Sequence, residues 1–344
     1  MVSEQGLGRG LEPLTTSLNA LTPGMGGYWC TTYAPKACYL TNYNRSLLLA
    51  TPYVSYFDLS RSDNLKVEVE VWRGEVQGRI SIGDSWLALV SAVTEYTGMH
   101  STSITFLTVT IGNSDNSFLC TCVGRMVPLP LWTQQGAIVG LEGGSENVTQ
   151  IVDTLLQNKV PIKGVWLQDW VGLRHSDIDG DRLIWNWQVN RDYYPTWDEM
   201  VGRWSSEQGM RVMTYVNPFF SDPSGFVDSS RNFFQEGVAA GYFVRNISGQ
   251  VYMQNSITIA FATLDLTNPA ARTWMKGILV NYTFVEAQSS GFMCDFGEYL
   301  PFDAVLSNGQ TGNDYHNIYP QAWGELVQEA IAEYTASHTE GKDI

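Results

Sequence analysis

The chain has 344 residues, of which 44% are hydrophobic, and 35 Asp and Glu outweigh 20 Lys and Arg to give a net charge of −15. The length allows one large domain or two medium ones. So acidic a composition argues against nucleic acid and anionic membrane surfaces as partners, because both require a basic protein surface. No apolar run reaches the length of a transmembrane helix, so no membrane partner is expected.

The amino terminus and the cysteines are used to predict the cellular compartment of the protein. The first residues, MVSEQGLGRGLEPL, show neither the basic nor the apolar region of a signal peptide. The 5 cysteines stand at scattered spacings that fit neither a disulfide framework nor a zinc site. We therefore expect a cytoplasmic location, no metal and no other cofactor.

The first part of the chain is predicted to be antiparallel sheet. In LKVEVEVW, residues 65–72, apolar and charged residues alternate with the period of two that is typical of a half-buried strand. The segments ACYLTNYNRSLLLATPYVSYFDLS and GRISIGD are compatible neighbouring strands. The next segment, DSWLALVSAVTEYTGM, has helical spacing, with Asp84 or Ser85 as its cap and Gly98 as its end.

Residues 101–125, STSITFLTVTIGNSDNSFLCTCVGR, fit neither a sheet nor a helix pattern. We interpret them as a surface insertion. The alternative, a metal site at Cys120 and Cys122, is disfavoured because two ligands one residue apart do not close a zinc shell.

From residue 136 onward, apolar runs alternate with amphipathic helices, which indicates parallel βαβ units. The predicted strands are GAIVGLEGG, IKGVWLQDW, MRVMTYVNP, ATLDLT and SGFMCDFGE. The predicted helices are SENVTQIVDTLLQNKV, TWDEMVGRWSSEQG and NPAARTWMKGILVNYTFVEA.

Each of these strands ends in polar residues, which are Glu142, Gln168 with Asp169, Asn217, Asp265 and Asp295. Function gathered at the carboxyl ends of parallel strands is typical of a (β/α) barrel. A doubly wound sheet has the same bias, but no G-x-G-x-x-G follows the first strand, so the barrel is favoured.

The densest polar and aromatic segment is VWLQDWVGLRHSDIDGDRLIWNWQVNRDYYP, residues 165–195, which we expect to leave a strand and run as a long functional loop. Arg182 could grip an anion, and Trp185 offers an indole N–H donor. Alternatively, Arg182 pairs with Asp179 or Asp181 on the surface while the tryptophans pack in the helix layer of the barrel. SDIDGDR resembles a calcium loop weakly, since it lacks the spacing and the bidentate Glu of an EF-hand.

Asp295 is the strand-end residue with the clearest choice of roles. It could be a catalytic carboxylate faced by a second acid, or it could cap the following turn, which contains Gly297. Glu298 is a nearby candidate partner, although adjacency in a turn does not place two groups across a substrate. The 4 histidines show no pairing with a serine or cysteine nucleophile motif.

Several motifs, in the same order, resemble glycoside hydrolase family 31, and within it the sulfoquinovosidases, which release 6-sulfonated glucose from glycerol glycosides of plant sulfolipid. The motifs are WLQDWVG, DRLIWNW, TYVNPF, LDLTNPAA and DFGEYLP. The resemblance also takes in EQGLGRG, GGYWCTTYAPKACYL and LWTQQGAIVGLEGG, so it covers most of the chain.

The resemblance implies the fold and the site. It implies an α/β protein with an N-terminal antiparallel β-sandwich at residues 1–126 and the first part of a (β/α)8 barrel at residues 127–344. The family's nucleophile falls on Asp295 and its sulfonate contacts on Arg182 and Trp185. Gln168 matches a contact to sugar hydroxyls, and Asp169 is expected to line the same pocket.

The chain departs from the family pattern in three respects. Glu142 stands where the group has Gln or Lys as a contact to the ring hydroxyls. Residues 101–125 interrupt a region that the family spans with a short link. The family's acid/base aspartate and a third sulfonate ligand, a tyrosine, fall beyond Ile344, so we expect an incomplete barrel and no turnover by the isolated chain.

We therefore predict a retaining α-glycoside hydrolase that acts on a small sugar substrate, a sulfoquinovosyl glycerol. Two alternatives stay open, which are a neutral α-glucosidase of the same family and a non-catalytic sugar- or anion-binding relative. An incomplete gene model is a further explanation of the insertion and the end of the chain.

Overall fold

The computed structural model describes residues 37–50, 53, 55–58, 67–71, 74, 76–97, 129–178, 180–227, 229–256 and 258–338. The chain divides into two compact units between Leu129 and Pro130. The predicted insertion at 101–125 and the predicted domain boundary at 126/127 lie outside the described residues.

The first unit contains two antiparallel sheets and a helix. Its elements are β1 (Cys38–Thr41), β2 (Arg45–Leu49), β3 (Ser55–Asp58), β4 (Glu68–Val71), β5 (Gly78–Ile82) and α1 (Trp86–Thr97). One sheet has the order β1-β2-β5, and β3 pairs with β4. The Ser85 hydroxyl accepts the Ala88 N–H at 3.3 Å, so Ser85, one of the two predicted caps, begins α1. Leu48 of β2 and Leu89 of α1 are buried.

The second unit contains both parallel and antiparallel strands. They are β6 (Ala137–Leu141), β7 (Ile162–Leu167), β8 (Leu173–Ser176), β9 (Gly180–Leu183), β10 (Arg211–Val216), β11 (Phe219–Phe220), β12 (Met253–Ser256), β13 (Ile259–Thr263) and β14 (Phe292–Cys294). The helices are α2 (Gly144–Gln157), α3 (Trp197–Gln208), α4 (Phe233–Ala240), α5 (Pro269–Ile278), α6 (Gly312–Tyr315) and α7 (Tyr319–Ser337).

A parallel sheet of four strands organises this unit. Its order is β14-β10-β7-β6, so strands that follow one another along the chain also lie side by side. Helix α2 connects β6 to β7, and α3 lies between β7 and β10, as the alternating pattern predicted. Gly209 ends α3 in the left-handed conformation with φ 60°, which glycine adopts at little cost.

The predicted fourth barrel strand, ATLDLT, is wrong. Its first two residues end β13, which pairs antiparallel with β11 and β12 in a separate sheet. A short apolar run carries no information about which strand it will pair with, so sequence periodicity could not separate the two arrangements. The parallel sheet among the described residues therefore has four strands rather than the five predicted.

The loop predicted across residues 165–195 is also partly wrong. After β7 and a short 3₁₀ turn, the chain forms the antiparallel hairpin of β8 and β9 before it becomes irregular. The hairpin places Arg174 directly opposite Arg182 and His175 opposite Asp181. Alternation along a strand puts these two pairs on opposite faces of the hairpin.

Large aromatic side chains fill the core of the second unit. Trp170, Trp187, Trp197, Trp204 and Trp323 are each no more than 1% exposed. The tryptophans of the 165–195 segment thus contribute to packing, as one of the two interpretations held. No helix in the described part of the chain is long and apolar enough to cross a membrane.

Helix α5 begins where its sequence predicts. The Asn268 side chain accepts the backbone N–H groups of Ala270 and Ala271, and Pro269 occupies the first turn, where a missing N–H costs nothing. The predicted single helix continues as a π-helical segment, Leu279–Glu286. The chain continues from this segment to β14, which ends directly before Asp295.

Candidate active site

Four of the six predicted site residues follow strands of the parallel sheet. Glu142 follows β6, Gln168 and Asp169 follow β7, and Asp295 follows β14. Asn217, after β10, completes the series. Because adjacent parallel strands end at the same edge of a sheet, the backbone gathers these residues along one edge.

Asp295 is held from three sides. Its backbone N–H donates to the Val216 carbonyl at 2.9 Å, and the Trp323 indole donates to the Asp295 carbonyl at 3.2 Å. The Tyr215 hydroxyl donates to the Oδ2 atom of Asp295 at 2.7 Å. Asp295 is half-buried, and no described residue donates a hydrogen bond to its other carboxylate oxygen, Oδ1.

The turn after Asp295 is sharply bent. Phe296 and Gly297 both have positive φ, 59° and 126°. A Cβ at position 297 would meet the Cα of Pro320 at 3.0 Å, so the close approach of α7 also requires glycine there. Among the described contacts, the Asp295 carboxylate bonds to Tyr215 and not to this turn, which disfavours the capping role.

Asp169 is fully buried, and protein donors engage both of its carboxylate oxygens. The Gly143 N–H donates to Oδ2 at 2.8 Å, and the Tyr194 hydroxyl makes a short hydrogen bond to Oδ1. Burial raises the pKa of Asp169 above its usual value, while the bonds from Tyr194 and Gly143 oppose that rise. These contacts tie the end of β7 to the turn before α2. A direct contact of Asp169 with a sugar stays a prediction.

Glu142 stands beside this buried carboxylate. The residue as a whole is exposed, yet partial burial of its carboxyl and the negative charge of Asp169 raise its pKa. Gln168, the residue before Asp169 in the chain, is half-buried. Glu142 therefore retains its proton to a higher pH than an isolated glutamate would, which makes it a better hydrogen-bond donor.

Trp185 lies close to the turn that follows Asp295. It is 8% exposed and packs on Phe219 and Phe261, with ring centroids 5.4 and 5.0 Å away. Its ring also meets the edge of Phe296, the residue after Asp295, at 6.0 Å. The indole Nε1 of Trp185 is buried and has no hydrogen-bond acceptor among the described residues.

Arg182 lies on β9, three residues before Trp185, and is exposed. Asp181, one of its two alternative surface partners, hydrogen-bonds His175 at 2.7 Å instead. The other, Asp179, lies outside the described residues. The sequence thus located Arg182 and Trp185 on one segment, whereas the structure shows Trp185 in contact with the turn after Asp295.

Sequence reasoning missed two tyrosines of this site. Tyr215 contacts the Asp295 carboxylate, and Tyr194 contacts Asp169. Tyr215 lies inside an apolar run, where an aromatic residue predicts core packing. Within the described ranges no group of three or more His, Cys, Asp or Glu side chains could hold a metal ion.

A comparison with protein families matches most of the second unit. Residues 130–340 match the model of the Glycosyl hydrolases family 31 TIM-barrel domain. The matched range includes every predicted site residue, from Glu142 to Asp295.

Two curated relatives match nearly the whole chain. The sulfoquinovosidase of Escherichia coli K12 is 28% identical over 96% of this chain and 43% of its own length. The sulfoquinovosidase of Agrobacterium fabrum is 30% identical over 96% of this chain and 44% of its own length. The chain thus spans less than half the length of these relatives.

Solved structures agree with these relatives. A family 31 sulfoquinovosidase from E. rectale, in complex with the aza-sugar inhibitor IFGSQ, has a TM-score of 0.76 and 28% identity over 96% of this chain and 44% of its own. A cycloalternan-degrading enzyme from Trueperella pyogenes, at TM-score 0.62 and 16% identity, covers 89% of this chain and 41% of its own and shares the fold alone.

Proposed function

The chain belongs to glycosyl hydrolase family 31, and from this premise we propose that it carries the nucleophile and the anion subsite of a retaining α-sulfoquinovosidase. The substrate is a small sulfonated glucoside of the sulfoquinovosyl glycerol type. Two relatives that bear the name sulfoquinovosidase support this choice over a neutral α-glucosidase.

The observation that carries the proposal is the buried indole N–H of Trp185, which has no acceptor in the part of the chain that the structure describes. A buried donor without an acceptor costs about 1–3 kcal/mol, so such a group is retained where a ligand can satisfy it. An anionic sulfonate oxygen is a stronger acceptor than a sugar hydroxyl. Arg182, three residues earlier on an exposed strand, adds the positive charge that a sulfonate requires.

Asp295 performs the first chemical step. Its carboxylate attacks the anomeric carbon through an oxocarbenium-like transition state, while a second carboxylic acid about 5–5.5 Å away protonates the leaving oxygen. The ester that forms is then hydrolysed by water, so the product keeps the anomeric configuration of the substrate. Hydrogen bonds of Gln168 and Glu142 with the ring hydroxyls orient the sugar.

The proposal extends to the domain organisation. The two antiparallel sheets of the first unit support an N-terminal β-sandwich at residues 1–126. Four parallel strands in chain order, crossed by α2 and α3, support the first part of a (β/α)8 barrel at residues 127–344.

Covalent labelling tests the function. A ring-fluorinated α-sulfoquinovosyl fluoride loses fluoride without protonation, so attack by the nucleophile alone suffices and no turnover is needed. We expect it to add one sugar per chain, located at Asp295 by peptide mass spectrometry. The matching glucosyl fluoride should label more slowly.

The variant Arg182→Ala tests the anion subsite. It should slow labelling by the sulfonated reagent about 10- to 100-fold, because a charge-assisted hydrogen bond is lost. Labelling by the glucosyl reagent should not change. Arg79→Ala is the matched control, since Arg79 is an exposed arginine of the first unit that pairs with Glu95 at 3.1 Å.

The alternatives give different results. A neutral α-glucosidase is favoured if Arg182→Ala leaves both labelling rates intact and the glucosyl reagent reacts faster. A non-catalytic binding protein is favoured if both reagents protect the chain against heat without adding mass. Labelling at Glu298 would overturn the assignment of Asp295.

A further inference from the structure

A directed chain of hydrogen bonds ends on the Asp295 carboxylate. The Phe219 backbone N–H donates to Oδ1 of Asn217 at 2.9 Å. The Nδ2 group of Asn217 then donates to the Tyr215 hydroxyl oxygen at 3.2 Å, and that hydroxyl donates to Oδ2 of Asp295 at 2.7 Å. The chain runs from a backbone amide to one carboxylate oxygen.

The direction of this chain follows from its first member. A backbone N–H can only donate, so the Asn217 atom that faces it must be the carbonyl oxygen, and the amide nitrogen faces Tyr215. An amide nitrogen can only donate as well, so the Tyr215 oxygen accepts there and its proton points at Asp295. If the side-chain amide of Asn217 were rotated by half a turn, its nitrogen would face the Phe219 N–H, and that hydrogen bond would be lost.

The surroundings hold the Tyr215 hydroxyl in place. Tyr215 is 2% exposed and Asn217 is fully buried. The indole N–H of Trp170 donates to the Tyr215 backbone carbonyl at 2.8 Å, which fixes the end of β10. Burial, with an added contribution from Asp295, raises the pKa of Tyr215, so its hydroxyl keeps its proton throughout the physiological range.

We propose that Tyr215 is a positioning residue for the nucleophile, and that it occupies Oδ2 of Asp295 so that Oδ1 is the attacking oxygen. Asn217 acts through Tyr215 by orienting its hydroxyl proton. This inference rests on the proposed function, because it takes Asp295 to be the nucleophile. The inference adds which carboxylate oxygen of Asp295 reacts and which groups orient that oxygen.

In the labelling reaction, Oδ1 of Asp295 donates an electron pair to the anomeric carbon as the carbon–fluorine bond breaks. Fluoride leaves with the bonding pair, so one ester forms and no proton is transferred. The hydrogen bond from Tyr215 to Oδ2 persists throughout, now to the carbonyl oxygen of the ester. Tyr215 therefore affects the geometry of attack and not the proton balance.

The variant Tyr215→Phe tests the proposal in the 344-residue chain. The maximal labelling rate constant should fall about 10- to 100-fold, because a misaimed nucleophile loses its near-attack geometry. The half-saturating reagent concentration should not change, since the proposed role of the Tyr215 hydroxyl is to orient the Asp295 carboxylate and not to bind the sugar. Tyr319→Phe is the matched control, because the buried Tyr319 hydroxyl donates to the Leu264 carbonyl at 2.8 Å.

The variant Asn217→Asp tests the direction of the chain. A carboxylate at position 217 accepts from both the Phe219 N–H and the Tyr215 hydroxyl, which turns the tyrosine proton away from Asp295. Labelling should slow as much as in Tyr215→Phe, although the tyrosine is still present. Labelling at the wild-type rate would show that the direction is wrong.

A double-mutant cycle tests the contact without any reaction. Tyr215→Phe and Asp295→Ala, alone and combined, should shift the urea midpoint of unfolding in a non-additive way, because each single variant removes the hydrogen bond that the two residues share. Additive shifts would overturn the contact, and an unchanged labelling rate in Tyr215→Phe would overturn its role. Absence of any label in the wild type counts against the proposed function instead.

Discussion

Asp265 and Asp295 both end an apolar run, and that pattern alone does not distinguish them, yet the two carboxylates have different contacts in the structure. Asp265 is 2% exposed, and its Oδ1 accepts from the Thr267 N–H and hydroxyl at 3.0 and 2.7 Å. Its Oδ2 accepts from the Ser307 N–H at 2.7 Å. Asp295 is half-buried, and among the described residues only Tyr215 donates to its carboxylate.

The difference lies in how many carboxylate oxygens the protein itself engages. A carboxylate with both oxygens bonded to protein donors holds a loop together and has little left with which to react. A carboxylate with one oxygen held and the other open is oriented for attack. We therefore expect Asp265 to contribute to stability and Asp295 to reactivity.

The largest effect expected from this comparison is the loss of labelling in Asp295→Asn. An amide does not attack the anomeric carbon, so the fluorinated reagent should add no mass at residue 295. The Tyr215 hydroxyl can still donate to the amide oxygen, so the urea midpoint should shift only slightly. Retained labelling, or a variant that unfolds, would remove the distinction between the two aspartates.

Asp265→Asn should behave in the opposite way. Whichever way the amide is oriented, its nitrogen faces a donor, either the Ser307 N–H or the two donors of Thr267. We expect the free energy of unfolding to fall by about 2–4 kcal/mol, since buried donors to a charged acceptor lose their partner. Urea denaturation measures this loss, with Asp295→Asn as the matched control. A stability equal to that of the wild type would contradict the structural role.

A smaller effect is expected from Tyr194→Phe, which removes one donor from buried Asp169. At neutral pH the loss should be about 1.5–3 kcal/mol, the value of a hydrogen bond to a charged group. Unfolding in urea at several pH values would measure it. A loss of under about 0.5 kcal/mol at neutral pH would contradict the importance of this bond.

The effect of Tyr194→Phe should also depend on pH. Burial raises the folded-state pKa of Asp169 above its usual 3.8. The contribution of Asp169 to the free energy of unfolding therefore falls as the pH rises from that ordinary value through the folded-state pKa of Asp169. Loss of the Tyr194 hydroxyl raises the folded pKa further, so the variant should lose more stability than the wild type as the pH rises above the ordinary value of 3.8. A stability difference between Tyr194→Phe and the wild type that shrinks as the pH rises would contradict the direction of this prediction.

Local patterns predicted four parallel strands and three helices of the second unit correctly. The helix ends at Gly209 and Asn268 follow from the chemistry of single residues, and the parallel strands β6, β7, β10 and β14 were each found as apolar runs. The run that contains Asp265 was assigned to the wrong sheet, because pairing depends on the rest of the chain. The hairpin within 165–195 was missed for the same reason.

The sequence by itself determined the family, the strand-end position of Asp295, and the segment that carries Arg182 and Trp185. These depend on residue order and on short-range patterns, which remain visible in one dimension. Only the tertiary structure decided that protein donors engage both carboxylate oxygens of Asp169 and of Asp265, whereas among the described residues only one oxygen of Asp295 accepts a hydrogen bond. Tyr215 is 80 residues before Asp295, and only the pairing of β10 with β14 brings its hydroxyl to that carboxylate.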